Sequence, residues 1–297
     1  MTLAPRILIL GANGQLGTEL QRSFADGGEV IAHGHDTADL SRLDQLRAVV
    51  RESAPQLILN AAAYTAVDRA ESEPDLARAI NAHAPAVLAE EALRANALFF
   101  HYSTDYVFDG SKASPWLETD ATHPLNIYGQ TKLEGEQAIQ QIGGRAFVFR
   151  TSWVYGPHGK NFLLTMLRLG SDRKQLRVVD DQIGSPTSSI QLAEATRRVA
   201  DRILSGAAPA DAAGVYHMTC SGSTSWCGFA CSIFQQAERV LHMPAPEVIP
   251  IPTAEFPTPA RRPAYSVLDC EKLFQNFGVR LAPWQSALED AMARLVP

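Results

Sequence analysis

The stretch ILILGANGQLGTEL, residues 7–20, joins a short apolar run to three glycines spaced three apart and then to an amphipathic segment. That order leaves a chain few choices. A run as short and apolar as Ile7–Leu10 reads as a buried parallel strand. Gly11 then permits a tight turn, and Gly14 lets backbone N–H groups approach a pyrophosphate. Gly17 lets the following helix pack closely on the sheet, and the start of that helix adds partial positive charge. Three glycines alone are a weak signal. Between a strand and a helix they predict a dinucleotide-binding turn.

The rest of the first half repeats the alternation. Apolar runs at Val30–Ala32, Leu57–Leu59, Leu98–His101 and Ala146–Phe149 are bounded by turns. Amphipathic stretches at Gln15–Phe24, Leu43–Glu52, Asp75–Asn96 and Leu125–Gln141 lie between them. Ser41 stands where it can cap the second of these helices, and Pro55 closes it. The pattern predicts an α/β fold, a doubly wound parallel sheet of Rossmann type with right-handed crossovers. After residue 150 the rhythm loosens. Prolines at 244, 246, 250, 252, 257, 259 and 263 are too dense for regular elements. Helices are expected at Phe162–Gly170, Gln191–Leu204, Trp226–Leu241 and Trp284–Leu295. The expected division is a dinucleotide-binding domain over 1–150 and a smaller, partly irregular substrate lobe over 151–297. Some segments of that lobe return to the sheet. Ligands of such sheets bind at the carboxyl ends of the strands.

A net charge of −6, with no basic run longer than a pair, argues against nucleic acid or an anionic membrane as partner. No stretch approaches 18 apolar residues, so no membrane span is expected. The start, MTLAPRILIL, has no small-residue cleavage site and reads as a first strand rather than a leader, and a cytoplasmic setting is expected. Cys227 and Cys231 form a CxxxC pair, but no histidine or second cysteine pair stands at finger-like spacing. They read with Cys220 and Cys270 as packed, reduced thiols, and no metal ligand set is expected.

Tyr128 stands four residues before Lys132 in NIYGQTKLEGE, one turn apart on the same face of an expected helix. With seven tyrosines and five lysines in the chain, such a pair is uncommon by chance. A free phenol has a pKa of about 10, and an ammonium beside it favours the phenolate. Tyr128 can then exchange a proton with a carbonyl oxygen as hydride arrives at the carbon. Thr104, at the end of the fourth strand, would hydrogen-bond the same oxygen, and Lys132 would also hold the nicotinamide ribose. The second strand runs into His33, Gly34 and His35 rather than the acid that binds a ribose 2′-hydroxyl, so Asp36 or Asp39 must serve. The missing charge leaves room for a 2′-phosphate, yet no arginine is close by to welcome one. NADPH and NADH both stay open. In NAAAYTAVD, residues 60–68, small alanines let the backbone pass close to a ribose and diphosphate.

GANGQLGTELQ, NAAAYTAVDRAESEP, HYSTDYVFDG, PLNIYGQTKLEGE, FRTSWVYG, DDQIGSPTSS and PTPARRPAYS follow one another in that order. Together, from about residue 6 to 295, they resemble the dTDP-4-dehydrorhamnose reductase family. This family is in the extended, sugar-nucleotide branch of the short-chain dehydrogenase/reductase superfamily. The resemblance implies reduction of the 4-keto group of dTDP-6-deoxy-L-lyxo-4-hexulose to dTDP-L-rhamnose, a precursor of cell-surface polysaccharide such as lipopolysaccharide O-antigen, with NADPH or NADH. It makes Tyr128 the proton donor, Lys132 its partner and Thr104 the helper. It lays the cofactor on Gly11, Asn13, Gly14, Gln15, Leu16 and Gly17, and on Asp39 and Leu40. Further cofactor contacts fall on Ala62, Ala63, Tyr64 and Thr65, and on Tyr102, Tyr128 and Lys132. Substrate contacts fall on Thr104, Asp105, Trp153 and Arg262. An indole suits a sugar face and a guanidinium matches phosphate oxygens. The plainer readings are core filling beside Tyr155 for Trp153 and a solvated loop for Arg262.

Some members of the family tie a homodimer together with Mg²⁺, held by glutamates near the last helix and near the helix after the GSPT turn. Here Glu289 stands in the last helix, but Ile190 and Gln191 occupy the other place, and hard cations want oxygen ligands. No bound Mg²⁺ is expected; a homodimer is compatible with the sequence. Two other readings stay open. One is another nucleotide-sugar reductase or epimerase. Against it, Thr104 is followed by Asp105-Tyr106 rather than the Asp-Glu of dehydratases, and no cysteine before residue 220 supplies the acid–base group of GDP-fucose-type epimerases. The other is a catalytically silent, cofactor-binding regulatory subunit, which need not keep Thr104, Tyr128 and Lys132.

Overall fold

Six parallel strands carry the fold in a computed structural model that describes residues 4–295. They are β1 (Arg6–Leu10), β2 (Glu29–His33), β3 (Leu57–Asn60), β4 (Leu98–Thr104), β5 (Ala146–Thr151) and a late strand, Gly214–His217. Across the sheet the order is Gly214–His217, β5, β4, β3, β1, β2, with every neighbouring pair parallel. The expected doubly wound α/β sheet is therefore present. β1 sits between β2 and β3, so the winding reverses there, and sheets of this kind bind ligands in the crevice at that reversal.

Both faces of the sheet are covered, which is why its central strands are apolar at nearly every position rather than at alternate ones. One face packs Leu20, Phe24, Phe100 and Phe149 with Phe229, Ile233 and Leu288 from the second half of the chain. The other packs Leu8, Ile58 and Phe99 against Leu46, Val50, Leu88 and Ile139. The helix Ser189–Leu204 lies on the helix Gln15–Ser23, and Gly214–His217 joins the sheet beside β5. The second half thus closes the first face and extends the sheet.

Three local expectations change. The helix Leu43–Ser53 begins at Arg42 with no side-chain cap; Ser41 turns instead to Asp39, to which its hydroxyl donates at 2.7 Å. The Ala-rich span starts at Pro74 and passes through a π-turn, Ala79–His83, before continuing as Ala84–Arg94. Pro85 lacks the N–H that would close an ordinary turn onto Asn81, so the ladder slips by one residue there. Finally, the proline-rich segment does hold a strand. Glu247–Ile251 pairs with Gln175–Val179, and Pro250 is tolerated because the two form a ribbon with free outer edges.

Beneath the sheet edge, Glu136 of the helix Ile127–Ile142 accepts hydrogen bonds from Arg150 of β5 at 2.7 and 3.1 Å, both side chains buried. The ion pair fixes that helix across the carboxyl half of the sheet.

A β-carbon at Gly17 would sit 2.0 Å from the carbonyl oxygen of Gly11 and 2.7 Å from its carbon. Both are backbone atoms, with no side chain to give way. Gly17→Ala should destabilise the fold by about 1–3 kcal/mol or more through overpacking. An unchanged urea midpoint would refute the close-packing role.

Candidate active site

At the carboxyl ends of β1, β3, β4 and β5 the sheet opens into a cleft of about 780 Å³. Its floor is the glycine turn. Gly11 has a φ of +79°, and a β-carbon there would lie 2.7 Å from the amide nitrogen of Ala62. The N–H groups of Gly11 and Ala12 donate to the carbonyl of His33 at 2.9 and 3.0 Å, which ties the turn to the end of β2. Gly14 is the N-cap of Gln15–Ser23, and no side chain caps it. By contrast, Asn126, Asn161, Ser188 and Ser225 all cap their helices. The first amides of Gln15–Ser23 are left for an anionic group in the cleft, the arrangement that holds phosphate.

Of the residues expected to hold a dinucleotide, Asn13, Gln15, Leu16, Asp39 and Leu40 line the cleft with Gly11 and Gly14, and Ala62, Ala63 and Thr65 face them from the loop after β3. Asp39 accepts from the N–H and hydroxyl of Ser41, which hold its carboxyl below the usual range. Two residues depart from expectation. Gly17 lies behind the turn, packed against Gly11. Tyr64 turns away: its N–H donates to Asn81 at 2.9 Å and its hydroxyl to Glu73. Tyr102 lines the cleft, but its hydroxyl is buried against Thr196 at 2.8 Å, so its carbonyl is the polar group toward the site.

Thr104, Asp105, Tyr128 and Lys132 meet on one wall. Thr104 ends β4 and caps the 3₁₀ turn Asp105–Val107, accepting from Tyr106 N–H, and it donates to Asp105 at 3.1 Å. Asp105 is buried and accepts from Ser152 at 2.8 Å. Burial pushes its carboxyl up to about 6, against the pull of the hydroxyls of Ser266, Ser152 and Thr104. Tyr128 is set in the first turn of Ile127–Ile142 by Asn126, which accepts from Gly129 N–H at 2.8 Å. Its ring meets the edge of Tyr106 at 5.7 Å.

The expected electrostatic pairing is different in the structure. Lys132 donates to the carbonyl of Tyr102 at 2.6 Å and lies 3.1 Å from the imidazole of His101, rather than bonding the phenol of Tyr128. Burial lowers the Lys132 ammonium to about 8. Burial also raises the phenol of Tyr128 to about 12, partly offset by the Thr104 hydroxyl and reinforced by Asp105. For both groups burial outweighs the one-turn proximity of the other.

Trp153 lines the far wall in a left-handed backbone conformation, φ 47°. Its indole stacks on Trp226 with centroids 3.5 Å apart and planes 7° from parallel. A β-carbon at Gly184 would fall 2.5 Å from that indole. Sequence reasoning missed Trp226, which read only as the start of a helix, and Tyr106. Nothing local marks either as a cleft residue. Arg262 does not itself line the cleft. Its guanidinium forms a two-pronged pair with Asp68, at 2.9 and 3.1 Å, bonds Thr258 and meets the side chain of Tyr106, which does line it.

Among the described residues no three His, Cys, Asp or Glu side chains come together to hold a metal ion. Glu289 accepts from Gln236 at 3.1 Å and lies 4.0 Å from Arg239, and Ile190 is buried. Of Ile190, Gln191 and Glu289, only Glu289 offers a carboxylate. Cys220 and Cys227 are buried free thiols, Cys270 is partly buried and Cys231 exposed. No helix of the described residues is long and apolar enough to cross a membrane.

The family described as the RmlD substrate binding domain matches residues 5–296. A dTDP-4-dehydrorhamnose reductase of Burkholderia thailandensis is 47% identical over 287 residues, 95% of this chain and 96% of that protein. One from Escherichia coli K12 is 45% identical over 294 residues, 97% of each. The crystal structure of dTDP-4-dehydrorhamnose reductase from Bacillus anthracis in complex with NADP superposes with a TM-score of 0.89 at 36% identity, covering 98% of this chain and 100% of that one.

The raised pKa of Asp105 has a direction in stability. The unfolded chain loses this proton near the usual carboxylate value, the folded one only near 6. Between those values the unfolded state binds fewer protons, so the contribution of Asp105 to stability falls as pH rises. Relative to Asp105→Asn, the wild type should lose stability from about pH 4 to about pH 6 and hold level above. Paired urea titrations across that range check it; parallel curves would refute it.

Proposed function

The chain belongs to the dTDP-4-dehydrorhamnose reductase family, and on that premise we propose how its cleft works. It reduces the 4-keto group of dTDP-6-deoxy-L-lyxo-4-hexulose with NADPH and releases dTDP-L-rhamnose. The observation that carries this reading is one wall that joins Thr104, Tyr128 and Lys132 in a cleft floored by an uncapped phosphate turn. A silent regulatory subunit would have no need of that wall.

The residues present fit a dinucleotide. The free amides of the first turn of Gln15–Ser23 would take the pyrophosphate, and Ala62 and Ala63 leave space for the backbone to approach it. Asp39 and Leu40 would flank the adenosine end. When bound, NADPH supplies the hydride that the carbonyl carbon accepts. A reduction also needs a proton held ready, and a half-buried phenol with its pKa pushed up to about 12 keeps one at neutral pH. Tyr128 gives that proton to the carbonyl oxygen. Thr104 turns its hydroxyl from Asp105 to the same oxygen and stabilises the charge that develops there. Lys132 keeps the phenolate left behind from being costly and holds the nicotinamide ribose. Trp153, with Trp226 behind it, offers an aromatic face to the sugar.

The reading extends to a cytoplasmic setting, where NADPH and sugar nucleotides are made, and to a homodimer, which light scattering tests directly.

The decisive experiment mixes protein, NADPH and the 4-keto sugar nucleotide and follows the reduced-nicotinamide absorbance. Turnover is expected. In Tyr128→Phe, kcat should fall by about 10²–10⁴, the usual worth of a positioned acid, with NADPH binding nearly intact. A fully active Tyr128→Phe would remove Tyr128 from the chemistry.

A further inference from the structure

Behind Lys132 lies a buried polar chain that the roles above do not use. Asn60 ends β3 and His101 stands in the middle of β4, and both are within 1% of full burial. The Asn60 amide nitrogen is 3.0 Å from His101 Nδ1, and His101 Nε2 is 3.1 Å from Lys132 Nζ. The other end of the amide is claimed by the backbone: Asn60 Oδ1 accepts from Ala62 N–H at 3.3 Å.

That bond decides the rest. With the amide oxygen turned to Ala62, the end facing the imidazole is the NH₂, a donor, so Nδ1 must present a lone pair. A neutral imidazole then carries its proton on Nε2. The ring is neutral, since burial and the neighbouring Lys132 hold its pKa well below the ordinary value. Its Nε2–H therefore points at Lys132. Toward an ammonium this sets donor against donor; toward a free amine it is a hydrogen bond. The amine can still donate to the Tyr102 carbonyl at 2.6 Å. We propose that Asn60, acting through His101, is a positioning residue that sets the protonation state of Lys132.

The other groups around the amine do not share this direction. Glu136, one turn along the same helix, favours the ammonium, but its carboxylate is bonded to Arg150 of β5. Tyr128, one turn back, is held protonated by burial, and Asp105 beyond β4 acts on the phenol. From the π-turn, Asn81 meets Thr131 rather than Lys132. The imidazole is the neighbour able to reverse its hydrogen-bond sense.

The inference rests on the reading of Lys132 as a member of the catalytic wall, and its test has a readout apart from activity. Asn60→Asp places an acceptor where the amide donated. The imidazole proton should move to Nδ1, leaving an Nε2 lone pair for the ammonium. In ligand-free protein labelled with ¹³C-lysine, five lysines titrate, and Lys132 is assigned by its loss in Lys132→Met. Its midpoint should rise by about one pH unit or more in Asn60→Asp, and the alkaline limb of kcat should move with it. ¹⁵N spectra of the wild type, assigned by His101→Gln, should show the Nε2–H tautomer; this needs no folded Asn60 variant. An Nδ1–H tautomer in the wild type, or an unmoved Lys132 midpoint in folded Asn60→Asp, overturns the proposal. If Tyr128→Phe is inactive while the midpoint stays put, this inference alone fails. A fully active Tyr128→Phe defeats the reading of the cleft, and the tautomer still decides this point.

Discussion

At Gly11 three stretches of backbone pass so closely that neither Gly11 nor Gly17 has room for a side chain. The turn leaves β1, the loop after β3 crosses it at Ala61 and Ala62, and the helix carrying Gly17 presses on it from behind. The carbonyl of His33 anchors the same turn to β2. This contact sets where β1, β2 and β3 end relative to one another, and so fixes the floor on which every other cleft residue is arranged. Backbone packed this tightly leaves its unpaired amides facing outward, which makes the contact both a structural joint and a place for anions.

The first half of the chain was legible because its constraints are local. Buried parallel strands announce themselves as short apolar runs, and glycines spaced this way between a strand and a helix suit little besides a phosphate turn. The wall of Thr104, Tyr128 and Lys132 was legible for the same reason, since a helix brings positions 128 and 132 to one face whatever surrounds them. What depends on distant partners was not. Pro250 argued against a strand, and only the pairing with Gln175–Val179 shows that an edge accommodates it. The π-turn follows from Pro85, yet its use, pinning Asn81 to Tyr64, needs residues 17 positions apart. Arg262 suits a phosphate by its chemistry, but its pairing with Asp68, 194 residues away, depends on the fold. Trp226 reaches the cleft from a helix whose sequence carries no sign of it.

Burial governs the electrostatics of the wall more than charge pairing does. It raises the phenol of Tyr128 and the carboxyl of Asp105 and lowers the amine of Lys132, each time favouring the uncharged form. While the phenol of Tyr128 keeps its proton, Lys132 bonds the carbonyl of Tyr102 instead. The polar chain through His101 and Asn60 then determines in which direction hydrogen bonds run beneath them.

Trp153 and Gly184 illustrate how such a site restricts change. The indole fills the volume that a β-carbon at 184 would need, and its own backbone sits in a conformation few residues tolerate. A side chain added at 184 alone would evict the ring. A side chain at 184 therefore needs a smaller residue at 153 as well, and neither position can be enlarged on its own.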